Sequence, residues 1–145
     1  MDKFEALNAL AREIYKNAVD HGFYDAELQM AETVCGNLSD SIILQQLFFG
    51  QRIALIHSEL SEALEADRIN RYAKNLKKVE SMLGPSDVFM EAFRKNIKDS
   101  IEDEIADALI RILDLCASRG IDIGRHVRLK MAYNKNRPKL HGKEY

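Results

Sequence analysis

The fold is decided by a stretch without proline, residues 42–70, which reads IILQQLFFGQRIALIHSELSEALEADRIN. At roughly 100° per residue its apolar positions form two stripes, so the pattern predicts one long helix that is buried on two faces. The stripes consist of Leu44, Phe48, Leu55, Ala66 and Ile69, and of Phe49, Ile53, Ile56, Leu60 and Leu64. Glu59 and Glu62 fall inside the first stripe, where an ionised carboxylate is costly unless it is paired or binds a metal.

Other helices are predicted on both sides of this stretch. Apolar residues at alternating steps of three and four predict a helix over residues 3–20 that ends at His21-Gly22. The next expected elements are a short helix at about 26–34 ended by Gly36, turn and cap residues Asn37, Ser39 and Asp40, a polar helix or arm over 71–83, and a break at Gly84-Pro85-Ser86. A helix is expected over 87–119, with an interruption near Asp99-Ser100 where Ser100 and Asp103 resemble a cap. Gly120 closes that helix, and Asp122 caps a last helix that runs to about Lys135. Because no segment alternates with period two, the sequence predicts an all-α fold.

Composition narrows the class of protein. A chain of 145 residues with 46% hydrophobic and 30% charged residues is typical of one globular domain. Its net charge of -2 argues against nucleic acid or an anionic membrane as the main partner. No apolar run approaches the roughly 20 residues that span a bilayer. Cys35 and Cys116 have neither CxxC spacing nor metal-type neighbours, so we expect two free thiols in a reducing, cytoplasmic compartment.

A second pair of acidic residues repeats the spacing of the first. Glu104 and Asp107 stand three residues apart on an apolar-faced helix, as Glu59 and Glu62 do. This spacing places both carboxylates of a pair on one side of their helix, so four carboxylates converge if the two helices pack together. Oxygen ligands of this kind favour Mg²⁺ or Mn²⁺ over zinc or iron.

The alternative is that these acids are ordinary salt-bridged residues on a solvated surface. That interpretation is the one expected for Glu102 and Asp103, because a run of charges is usually solvated. For the two spaced pairs, the apolar residues around them favour the metal site.

The carboxyl-terminal segment is basic. Residues 125–143 contain no acidic residue and include Arg125, Arg128, Lys130, Lys135, Arg137, Lys139 and Lys143. Together with Asn134 and His141, these cations suit a polyphosphate whose remaining charge a metal neutralises. The alternative is a solvated, fraying terminus.

These motifs together resemble the MazG-like all-α nucleotide pyrophosphohydrolases, whose signature is E-x-x-E followed by E-x-x-D on the next long helix. The corresponding words are HSELSEALEA at 57–66 and EDEIADALIRI at 102–112. The tail KMAYNKNRP at 130–138, with HGK at 141–143, is similar to the end of the family. The connection between the two acidic pairs is longer than the family's usual short connection, because 41 residues (63–103) separate Glu62 from Glu104. The excess is a helical insertion at about 71–97.

The resemblance implies a single MazG-like domain over residues 1–145, a helical bundle completed by assembly into a homodimer or homotetramer. It also implies Mg²⁺-dependent hydrolysis of a (d)NTP to the (d)NMP and pyrophosphate, with Mn²⁺ as the other candidate metal. Two different functions are kept as alternatives: a phosphoribosyl-ATP pyrophosphohydrolase and a non-catalytic helical interaction module. The expected partners are the nucleotide and further copies of the chain, with no nucleic acid and no membrane.

The resemblance also assigns roles to residues. The metal ligands would be Glu59, Glu62, Glu104 and Asp107, of which Glu59 and Glu62 are also catalytic and Glu59 is the expected proton acceptor. The substrate contacts would be Lys130, Asn134, Arg137, His141 and Lys143. The pair Phe23-Tyr24 either stacks on the base or plugs the end of the first helix.

Overall fold

The computed structural model of the protein describes residues 1–34 and 38–138. These residues form α-helices and no β-strand, which confirms the all-α prediction. The helices are α1 (Lys3–Asp20), α2 (Asp25–Val34), α3 (Leu38–Arg68), α4 (Leu76–Glu80), α5 (Asp87–Asn96), α6 (Ile101–Ser118) and α7 (Ile123–Lys135). The first, second and last helices agree with the predicted bounds to within a few residues.

The chain divides into two compact units. One unit consists of Met1–Ala26 with the described part of Leu113–Tyr145, and the other consists of Glu27–Ile112. The buried apolar residues of the first unit are Ala11, Tyr24, Leu113, Leu115 and Cys116. Those of the second unit are Ile56, Ala63, Ala66, Val79 and Ala108.

The long helix is displaced relative to its prediction. It begins at Leu38 and ends at Arg68, so Ser39 and Asp40 lie in its first turn and are not the predicted turn and cap residues. A carboxylate in the first turn is favourable because the helix dipole is positive there. Asn70 ends the helix early by adopting a left-handed conformation at φ 55°. Asn37 and Gly36 lie outside the described residues.

The expectation that α3 is buried on two faces is wrong for the single chain. Ile56 is buried, but Phe49, Leu60 and Leu64 of the same stripe are 42%, 51% and 52% exposed. Within this chain, the second stripe of α3 is therefore covered only in part.

The predicted polar helix over 71–83 is also wrong for most of its length. Only Leu76–Glu80 is helical, and residues 71–75 form an irregular connection. Asn70 and Asn75 adopt left-handed backbone conformations on either side of it. The Lys74 N–H donates to the distant Asn96 carbonyl at 2.8 Å, so it is not available for a helical bond.

Local signals in the second half of the chain are confirmed. Ser86, after the Gly84-Pro85 break, accepts a hydrogen bond from the Phe89 N–H and caps α5. Asp99 interrupts the predicted helix over 87–119 with φ 57°. Asp122 caps α7 through the Arg125 N–H.

Two smaller expectations can be compared with the structure. None of the helices in the described part is long and apolar enough to cross a bilayer. Cys116 is a buried free thiol, and burial raises its pKa. Cys35 lies outside the described residues.

Candidate metal site

Three carboxylates from two helices meet in the unit Glu27–Ile112. Glu59 of α3 and Glu104 and Asp107 of α6 each offer an oxygen, and these oxygens lie within 4.8 Å of one another. We call these three residues the carboxylate triad. Glu59 is 7% exposed and Glu104 is 4% exposed, although both are ionisable. The structure therefore brings together three of the four acids that the sequence analysis selected as metal ligands.

Arg111 contacts the triad from α6. Its Nε donates to Glu59 Oε1 at 2.6 Å, and the Glu59 side chain is far more buried than the Arg111 side chain. The sequence analysis did not select Arg111. Its position four residues after Asp107 was an available signal, because residues at i and i+4 are neighbours on a helix surface.

The triad holds more negative charge than one guanidinium neutralises. Burial raises the pKa of Glu104 to about 7, helped by a hydrogen bond with Glu59 and by the nearby charges of Glu62 and Asp103. Burial also raises the pKa of Asp107, and the charges of Asp103 and Glu59 add to that effect. The triad is thus a place where either a proton or a further cation is favoured.

Glu62, the fourth predicted ligand, lies at the edge of this site. It is exposed, its Oε1 accepts a hydrogen bond from Ser58 Oγ at 3.0 Å, and it is not a member of the triad. Its charge nevertheless acts on Glu104. Glu62 is therefore near the triad, with a carboxylate that faces water.

The interpretation of Asp103 as a solvated surface acid is wrong. Asp103 is buried, its N–H donates to Ser100 Oγ at 3.3 Å, and its Oδ2 accepts from the Asp99 N–H at 2.9 Å. Ser100 thus caps the first turn of α6, as the Ser100 and Asp103 spacing predicts, while the Asp103 carboxylate accepts from Asp99 and not from Ser100. Capping fixes the turn that leads directly into Glu104.

Glu102 is exposed, as expected, but it has a specific partner. Its Oε2 accepts a hydrogen bond from the Ala73 N–H at 2.9 Å, and this bond lowers the pKa of Glu102. Glu102 therefore ties the irregular 71–75 connection to the start of α6.

The basic candidates belong to the other compact unit. Lys130 and Asn134 lie on α7, and Arg137 follows its end. Lys130 Nζ and Arg137 Cζ lie 5.0 Å and 5.7 Å from the centroid of the Tyr133 ring, so both cations gather on one aromatic side chain. The sequence analysis did not select Tyr133. His141 and Lys143 lie outside the described residues.

The two aromatic candidates have different surroundings. Phe23 is 75% exposed, whereas Tyr24 is buried. The Tyr24 hydroxyl donates to Asp114 Oδ2 at 2.8 Å, and its ring packs edge-on against Tyr15 with centroids 5.0 Å apart. Tyr24 thus fits the interpretation as a plug after the first helix. Base stacking stays a prediction for Phe23.

Comparison with known proteins gives no assignment: no family model, no curated protein and no solved structure matches this chain. The functional conclusion therefore depends on the chemistry of the carboxylate triad and its neighbours.

Proposed function

We propose that this chain is a Mg²⁺-dependent nucleoside triphosphate pyrophosphohydrolase, which hydrolyses a (d)NTP to the (d)NMP and pyrophosphate. The observation that carries the proposal is the carboxylate triad. One carboxylate oxygen from each of its three acids, two of which are buried, lies within 4.8 Å of the other two. The proposal also draws on the resemblance of the two acidic motifs to the MazG-like signature. The resemblance is the reason for proposing this reaction, and the triad is the reason for placing the reaction at Glu59, Glu104 and Asp107.

The triad fits a hard divalent cation. Its donors are all carboxylate oxygens, the ligand type that Mg²⁺ and Mn²⁺ prefer. Arg111 bonds to one of the three acids and Lys98 lies near enough to act on Asp107, but the raised pKa of Glu104 indicates that these cations do not compensate the negative charge. Glu59, Glu104 and Asp107 would hold the ion. When bound there, Mg²⁺ would supply Lewis-acid polarisation of phosphate oxygens.

The chain's own residues would orient the reactants and move a proton. Arg111 keeps one oxygen of Glu59 occupied, which fixes the direction of that carboxylate. Glu62 is exposed and accepts a hydrogen bond from a serine hydroxyl, so it is the better placed acid to accept the proton of the attacking water. In this proposal Glu62 takes the proton-accepting role that was expected of Glu59 from the sequence.

Substrate contacts come from the basic segment in this proposal. Lys130, Asn134 and Arg137 would bind the triphosphate, since charge-assisted hydrogen bonds stabilise the departing pyrophosphate. His141 and Lys143 are proposed to bind the same phosphates. Phe23 would stack on the base through its exposed ring.

We also propose that the chain works as a homodimer or homotetramer. Large apolar side chains on α3 and α6 are exposed to an extent that is unusual for a monomer. Those that are at least 40% exposed are Ile42, Ile43, Leu47, Phe49, Leu55, Leu60, Leu64, Ile105, Leu109 and Ile110. A second copy would remove this surface from water and complete the bundle.

The test is a pyrophosphate-release assay over a panel of NTPs, dNTPs and phosphoribosyl-ATP. Wild type should release pyrophosphate with Mg²⁺ and lose activity in excess EDTA. Glu62→Gln and Glu104→Gln should each lower kcat by about 100-fold or more, because general base and metal contacts act on the chemical step. Glu65→Gln, an exposed acid paired with Arg68 on the same helix, is the matched control.

A wild-type rate that is unchanged in EDTA would contradict the proposal. So would equal losses in Glu104→Gln and Glu65→Gln. Preference for phosphoribosyl-ATP over every common nucleotide would move the chain to the alternative substrate class.

A further inference from the structure

The inserted segment begins where α3 ends and returns where α6 starts. Residues 71–75 follow the end of α3 and form five hydrogen bonds to residues 96–102. The Arg71 carbonyl accepts from the Ile101 N–H at 3.1 Å, and the Arg71 guanidinium donates to Asp99 at 3.1 Å. These contacts pair the end of one acid-bearing helix with the beginning of the other.

The other three hydrogen bonds lie further along the segment. The Ala73 N–H donates to Glu102 Oε2 at 2.9 Å, and the Lys74 N–H donates to the Asn96 carbonyl at 2.8 Å. Asn75 Nδ2 donates to Asn96 Oδ1 at 2.8 Å. Among these five hydrogen bonds, the one to Glu102 is made by a side chain of α6 itself. All of these residues belong to the unit Glu27–Ile112.

A further contact joins the same two helices at a distance from the segment. Glu59 of α3 accepts from Arg111 of α6. From Glu59 the chain runs forward along α3 to its end, which Arg71 follows, whereas from Ile101 it runs forward along α6 to Arg111. The two helices therefore run antiparallel. Glu102 and Arg111, which contact the other side at the two levels, are nine residues apart, or about 14 Å along α6.

Register matters because ligands on two helices must meet. A shift of one helix by one residue moves its side chains by about 1.5 Å along the axis. A functional constellation tolerates about 0.5 Å. The triad takes Glu59 from α3 and Glu104 and Asp107 from α6, so it exists only in one register.

We propose that the 71–75 segment sets the register of α3 against α6, and that Glu102 is the positioning residue that holds it through the Ala73 N–H. This rests on the proposed function for its consequence, metal binding, and on the hydrogen bonds alone for its structural part. The role of the insertion is then to fix the register of the two acid-bearing helices, so that the three carboxylates of the triad meet.

The test compares Glu102→Ala with Glu102→Gln. Glutamine keeps an oxygen that accepts from the Ala73 N–H but removes the charge, whereas alanine removes both. Titration calorimetry with Mn²⁺ should give a dissociation constant weakened about tenfold or more in Glu102→Ala and within about threefold of wild type in Glu102→Gln, the size of effect that outer supporting contacts have on metal affinity. Glu91→Ala, an exposed acid on α5, is the control and should leave affinity unchanged.

A second readout does not need a metal. The side-chain Nε–H resonance of Arg111, assigned by its loss in Arg111→Lys, reports the contact with Glu59 at the far end of the helix pair. In metal-free protein it should shift in Glu102→Ala and stay in place in Glu102→Gln and Glu91→Ala. Ala73→Pro removes the same hydrogen bond from the donor side and should reproduce the shift if Glu102→Ala does not fold.

The outcomes separate the two claims. If wild type fails to bind Mn²⁺, the proposed function fails and the Arg111 resonance still decides the register. Equal weakening in Glu102→Ala and Glu102→Gln would show an effect of charge and overturn the positioning role. An Arg111 resonance that does not move in Glu102→Ala would overturn it as well.

Discussion

At the scale of single residues, Glu104 is a buried carboxyl group that lies close to other acidic side chains. Its pKa rises from an ordinary 4.5 to about 7, mainly because burial penalises the ionised form. The folded protein therefore keeps a proton on Glu104 over a pH range in which the unfolded chain has lost it. That contribution to stability is present below about pH 4.5 and is lost as the pH rises through about 7.

A neutral replacement of Glu104 should remove this pH dependence. In EDTA, Glu104→Gln should melt about 5 °C above wild type at pH 8, and the difference should shrink toward pH 5, where wild-type Glu104 is protonated too. Thermal melts followed by circular dichroism at pH 5, 6, 7 and 8 measure it. Glu65→Gln should give a flat difference. A Glu104→Gln difference that is largest at pH 5 would contradict the pKa direction.

Arg137 is the residue on which the basic segment can be tested. Arg137→Ala should lower kcat/KM for triphosphates by about tenfold or more, a loss of roughly 1.5–3 kcal/mol for a charge-assisted contact. Arg128→Ala removes an equally basic, exposed side chain from α7 and is the control. Steady-state kinetics with one nucleotide suffice. Equal rates for Arg137→Ala and wild type would remove this segment from the site.

At the scale of elements, α7 depends on close contact with α1. The Gly124 N–H donates to Asn8 Oδ1 at 2.8 Å, and Asn8 Nδ2 donates to Asp122 Oδ1 at 2.8 Å. A Cβ on Gly124 would lie 2.1 Å from the Phe4 carbonyl oxygen, which is backbone and cannot yield easily. Glycine is therefore required at this helix crossing.

Gly124→Ala should lower the free energy of unfolding by about 2 kcal/mol or more, since the two helices must separate. Gly50→Ala is the opposite case: nothing lies within 4 Å of its added Cβ, and alanine is the better helix former by about 1 kcal/mol. Urea denaturation of both variants measures the contrast. A Gly124→Ala protein as stable as wild type would contradict the packing of α1 on α7.

Sequence patterns predicted the elements that depend on local signals. Helix bounds at Asp20 and Lys135, the break at Gly84-Pro85-Ser86 and the interruption near Asp99 follow from periodicity and turn chemistry. The i, i+3 spacing also selected the three members of the triad. Local patterns did not predict the 71–75 connection, because its backbone bonds go to residues more than 20 positions away. Arg111 carries a local signal in its spacing of four from Asp107, but its contact with Glu59 is not predicted, because Glu59 is 52 residues away.

At the scale of the whole molecule, the exposed apolar residues of α3 and α6 predict self-association. Light scattering should give a mass of two or four times 16.6 kDa at micromolar concentration. Leu64→Arg should shift that mass toward the monomer, because a charge cannot be buried unpaired in an apolar interface. Leu83→Arg, at a leucine outside these helices that is 68% exposed against 52% for Leu64, should not. A monomeric wild type would contradict the assembly.

The central claim is that the carboxylate triad serves hydrolysis between the α and β phosphates of a nucleotide. Phosphorus NMR of a dNTP incubated with wild-type protein and Mg²⁺ tests it most directly, because it identifies the products instead of only a rate. We expect the wild-type protein to form nucleoside monophosphate and pyrophosphate in equimolar amounts, and the Glu104→Gln protein to form neither. Nucleoside diphosphate with inorganic phosphate, or an unchanged triphosphate across the panel of nucleotides, would contradict it.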